Sequence, residues 1–112
     1  MTVTLHDRIQ LSLQRALVGE IAPEMQVLAV HVSPAQVHVR LIVDAGSRPE
    51  VAEDFAAGAM TQVVADFCWP ERGDPKVEFE CFDVPPGHRV ELPAGYTVVF
   101  ERQGVNVTKA MD

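Results

Sequence analysis

The 112-residue chain has two cysteines, one tryptophan and one tyrosine, and no apolar run near the roughly 18 residues of a membrane-spanning helix. Cys68 and Cys81 stand apart, without a CxxC pair or Cys/His ligand spacing, so the pattern implies neither a disulfide framework nor a zinc site. Both are expected to be reduced thiols lining a core. Glycines such as Gly46, Gly58, Gly73, Gly87, Gly95 and Gly104 are scattered singly, which leaves no phosphate-cradling loop and no cofactor motif. The start "MTVTLHDRIQ" lacks the basic-then-apolar layout of a signal peptide, so a cytoplasmic protein is expected.

What is present is an ordinary globular composition, 47% apolar and 22% charged, at the usual size of one domain. The net charge of −7 is unevenly spread. Residues 1–43 and 92–112 each balance, whereas residues 44–91 carry eleven acids against four bases. An acidic region of this kind repels nucleic acid and anionic lipid and steers a basic partner into encounter.

Leu5, Ile9, Leu13, Ala16 and Leu17 recur at helical spacing, predicting a first helix over about 4–18, stopped by Gly19 and Pro23. Two alternating β-branched stretches, 25–32 and 36–44, flank "SPAQ" and predict a hairpin. A two-residue loop at Pro34 and Ala35 pairs Val32 with Val37, Val30 with Val39 and Leu28 with Leu41 on a core face. The opposite face then holds His31 with His38, Ala29 with Arg40, and Val27 with Ile42. Ser47, Pro49 and Glu50 have a capping-box layout, and Val51, Phe55, Ala59, Val63 and Phe67 mark a second helix.

"WPERGDP" reads as a loop, and "KVEFECFD" as a third strand with Val77, Phe79 and Cys81 inward and Glu78, Glu80 and Phe82 outward. An irregular connection, Pro85 to Gly95, precedes a fourth strand, "YTVVFER". The expected architecture is α+β, a two-layer sandwich of order α-β-β-α-β-β, with a four-stranded antiparallel sheet and both helices on one face. Residues 1–104 form the single domain and 105–112 a disordered tail. The uncovered sheet face would carry His31, His38, Arg40, Glu78, Glu80 and Phe82.

No constellation points firmly to catalysis. His31 and His38 oppose each other at metal-sharing distance, but two ligands do not make a centre. Glu53 and Asp54 diverge by about 100° on their helix, and outward strand glutamates such as Glu78 and Glu80 are usually solvated. Neither thiol sits in an electropositive context. An enzyme reading would need a pocket at the Pro85–Gly95 loop, with His88 and Arg89 as its polar groups.

"LVGEIAP", "VHVRLIVDAG" and "EDFAAGAMTQVVADF" resemble a family of small bacterial proteins, some of them similar to immunity proteins of contact-dependent growth inhibition and related polymorphic toxin systems. The resemblance spans about residues 13–67. It implies a non-enzymatic protein that binds and neutralises the toxin domain of a neighbouring gene. Combined with the acidic middle segment, it points to a basic toxin domain as partner. The candidate contact residues are Glu50, Glu53, Asp54, Glu78, Glu80 and Asp83, with Trp69 and Phe82 as aromatic anchors. The alternative is a small interaction module, homodimeric through its open sheet face.

Overall fold

A computed structural model describes residues 4–67 and 75–110. Helix α1 spans Leu5–Ala16; the Thr4 hydroxyl accepts from the Asp7 amide at 3.0 Å, and Asp7 and Arg15 complement the two ends of the helix dipole. Gly19, at φ +79°, turns the chain toward β1 as expected. Strands β1 (Met25–Val32) and β2 (Gln36–Asp44) form the hairpin in the expected register, with Val32 opposite Val37, His31 opposite His38 and Leu28 opposite Leu41.

A long helical crossover follows. It comprises α2 (Arg48–Phe55), a π-helical turn (Ala56–Met60) and α3 (Thr61–Asp66). Every fourth residue from Val51 to Phe67 is buried. In a regular α-helix such a stripe would drift about 40° per step; the wider π turn absorbs that drift, and Thr61 donates back to the Ala56 carbonyl at 3.0 Å. The capping box does not form. The Ser47 hydroxyl bonds the Asp44 carbonyl instead, and no side chain caps α2.

The four-stranded sheet has the order β3-β2-β1-β5, with β3 at Lys76–Val84 and β5 at Thr97–Glu101. It is mixed, not antiparallel, because β3 runs parallel to β2 with Gln36 opposite Lys76 and Asp44 opposite Val84. The physical reason is the connection: a crossover that contains a helix returns the chain to the same end of the sheet. The link from β3 to β5 then crosses about 14 Å of sheet, three strand spacings, which a tight hairpin cannot do.

Both helices pack on one face, as expected. Ile9 and Leu13 of α1 and Val51, Phe55, Ala59 and Val63 of the crossover bury Leu28, Val30, Val37, Val39 and Leu41. Phe55 stacks on Phe79 of β3, with ring centroids 5.4 Å apart. The other face is not open. Strands β4 (Val90–Leu92) and β6 (Val107–Lys109) pair in parallel and lie over it, joining Val90, Leu92 and Tyr96 to Val27, Ala29 and Ile42 in a second core. The stretch expected to be a tail thus contributes a strand, with the Ala110 amide bonded to the Leu92 carbonyl at 2.9 Å. No helix among the described residues is long and apolar enough to cross a membrane.

Candidate functional site

Two places gather polar groups, one on each side of the sheet. On the helix side, the turn after α1 meets the start of α2. Glu20, Glu24, Glu50 and Asp54 line one concavity of about 150 Å³, together with Ala22, Met25, Val51 and Phe55. Glu50 and Asp54 are one helical turn apart and so share a face. Among the described residues no lysine or arginine lines this hollow, and none of the four carboxylates is ion-paired. Gly58 seats Glu20: a Cβ there would meet the Glu20 carboxylate at 2.7 Å. Exposed Val18 and Ile21 flank Glu20 in sequence, at 81% and 50% of their free exposure.

Of the residues expected to act together, Glu50 and Asp54 are in this hollow and Glu53 is on the exposed flank of α2 outside it. Glu78, Glu80 and Phe82 are on the opposite sheet face, and Asp83 follows them on the edge strand β3. The expected residues therefore form two groups and not one surface. Trp69 lies outside the described residues, as does Cys68. Glu20 and Glu24 read in the sequence as parts of a helix stop. Only the tertiary approach of that turn to α2 brings them beside Glu50, and two glutamates within one short turn were the local signal.

The second place is built around Tyr96, which is 8% exposed. Gly95, at φ +87°, lets the chain pass the His31 ring, where a Cβ would come within 2.8 Å. Tyr96 then tilts against His31 at 5.5 Å between centroids, and its hydroxyl lies 2.5 Å from His38 Nδ1. His38 Nε2 lies 2.5 Å from Glu80 Oε1. A neutral imidazole satisfies both contacts, with Nε2–H donating to the carboxylate and Nδ1 accepting from the phenol. The two histidines are thus engaged with Tyr96 and Glu80, and among the described residues no group of three His, Cys, Asp or Glu side chains is placed to hold a metal.

Arg40 completes this side. Its guanidinium lies 4.5 Å from the Phe82 ring centroid and 5.0 Å from that of Tyr96. Glu80 is directly opposite it in register, yet the Glu80 carboxylate turns to His38. His88 and Arg89 are both exposed, and they line separate hollows.

No curated protein matches the chain. A family model described as MafI2 immunity protein matches residues 6–104, nearly the whole chain and all four strands of the main sheet with the helical crossover. That match extends through β3, β4 and β5, beyond the 13–67 stretch that carried the resemblance, and the chain belongs to the MafI2 immunity protein family.

Proposed function

We propose that the protein neutralises a cognate toxin by binding it directly, and that the toxin presents a basic surface to the carboxylates of Glu20, Glu24, Glu50 and Asp54. The observation that carries this reading is the hollow in which those four acids converge, with no cation among its described lining residues. Acidic groups left uncompensated on a folded surface raise its negative potential, and such a field sets association rate and specificity more than final affinity. Val18 and Ile21, exposed beside Glu20, supply the apolar contact that charge alone lacks. Glu53 extends the acidic flank. Glu78, Glu80, Phe82 and Asp83 form a secondary contact region, weaker because Glu78 is engaged by Lys76 at 3.6 Å and Glu80 by His38.

The test is association kinetics with the toxin domain encoded beside this protein, across a series of salt concentrations. Reversing Glu50 and Asp54 to lysine should slow association by about tenfold or more at low salt and flatten its salt dependence. The same reversal at Glu78 and Glu80 should do less. Unchanged rates in the first variant, with its fold intact, would remove the hollow from the interface.

A further inference from the structure

Two cavities of the outer face meet at one side chain. A hollow of about 460 Å³ is lined by Arg40, Glu91, Leu92, Pro93, Thr108, Lys109 and Ala110. A neighbouring one, of about 330 Å³, has Arg40, Phe82, Arg89 and Glu91 in its wall. Arg40 is common to both, and its Nε is buried with no hydrogen-bond partner among the described residues. It forms no ion pair with any described residue; its contacts are the rings of Phe82 and Tyr96.

Those two rings decide what the guanidinium can do. The guanidinium carbon lies over both rings, which donate no hydrogen bond to it, and its five N–H donors all lie in one plane. The polar capacity of Arg40 is therefore directed edgewise. A planar carboxylate meets such an edge with two parallel N–H···O bonds, the arrangement for which arginine surpasses lysine. Phe82 and Tyr96 also fix the orientation of the fork before anything binds, so little side-chain freedom is lost on contact.

We propose that Arg40, held by Phe82 and Tyr96, is a carboxylate-binding site, and that its occupant is an aspartate or glutamate side chain of the protein partner. The identity of that partner rests on the toxin-binding reading; the affinity of the site for a carboxylate does not. A singly charged group suits the surroundings. Glu91 lines both hollows and Asp83 the smaller one, so a dianionic phosphate meets more repulsion than a carboxylate, while Lys109 and Arg89 add cationic character, one to each hollow. The interface would then have reciprocal polarity, with acids of this chain facing the partner's bases on the helix side and Arg40 taking one of its acids on the outer face.

The experiment uses the immunity protein alone. The Arg40 Nε–H resonance is followed by NMR during titration with N-acetyl-glutamate N-methylamide, with the isosteric glutamine derivative, with inorganic phosphate and with sodium chloride at matched ionic strength. We expect saturable movement with the glutamate compound and none with the glutamine compound. Arg40→Lys, read at the Leu92 and Ala110 amides, should bind at least about tenfold more weakly because the bidentate fork is lost. No movement in the wild-type protein, equal movement with the glutamine compound or with chloride, or tighter binding of phosphate would each overturn the assignment. The wild-type titration decides even if the variant fails to fold, and because no toxin is present, its failure is separable from failure of the acidic-hollow reading.

Discussion

Arg102 grips Asp44 through both carboxylate oxygens, at 2.9 and 3.1 Å, and so ties the end of β2 to the residue after β5. Buried Gln26 donates to the same carboxylate at 2.9 Å and to the Val84 carbonyl at 2.8 Å, which draws in β1 and β3. All four strands of the main sheet are thus fastened at one end. The Arg102 hydrogen bonds hold the Asp44 carboxyl below its usual 3.8, with Gln26 adding to the effect and partial burial opposing it.

A depressed carboxylate pKa contributes stability above the unfolded value, and that stability is lost as pH falls through the folded one. Arg102→Met should therefore cost about 1–3 kcal/mol near neutral pH, and less once Asp44 is protonated in strong acid. Urea titrations at both extremes check this. An equal difference at both would mean that the bond from Arg102 to the Pro23 carbonyl, at 2.8 Å, carries the effect.

Gly95 and Gly87 share a positive φ, +87° and +85°, but differ in surroundings. A Cβ at Gly87 meets nothing within 4 Å, whereas one at Gly95 meets the His31 ring. Gly87→Ala should cost about 1–2 kcal/mol, the backbone cost alone, and Gly95→Ala clearly more. Thermal denaturation of the two variants decides; similar losses would show that the His31 ring simply turns aside.

Tyr96→Phe removes the hydroxyl beside His38 while keeping the ring against His31 and Arg40. The expected loss is about 0.5–1.5 kcal/mol. In a double-mutant cycle with His38→Asn the two changes should be non-additive by a similar amount. Additivity would show that the phenol and imidazole are not coupled.

Gly58→Ala should be neutral or stabilising, by up to about 1 kcal/mol, since alanine is the better helix former. The group in its way is the flexible end of Glu20. The same variant should alter toxin association, because Glu20 must leave its seat. A large stability loss would mean that the π turn itself requires glycine.

The hairpin was legible down to its residue pairs because period-two alternation on both sides of a proline turn admits one register: a slip would have put Val30 and Leu28 in the wrong layer. The helices were legible from Ile9 and Leu13, and from Val51 through Phe67. What alternation cannot encode is the neighbour of a strand. Val77, Phe79 and Cys81 face the helices whether β3 lies beside β2 or β5, so its parallel pairing was invisible. The second core was hidden for a related reason: Val90, Leu92 and Val107 lie in segments too short for any period to show. The acidic hollow was half legible, since the charge excess included Glu50 and Asp54, while Glu20 and Glu24 joined them only through the packing of a turn.

The π turn between Ala56 and Met60 also makes the chain tolerant of a change in length. A wide turn is one residue more than an α-helix needs, so losing a single residue there returns the helix to regular winding while Val51 and Phe55 on one side, and Val63 and Phe67 on the other, keep their places over the sheet. A deletion, ordinarily ruinous inside a helix, has an address in this one where regular winding absorbs it, directly beneath Glu20.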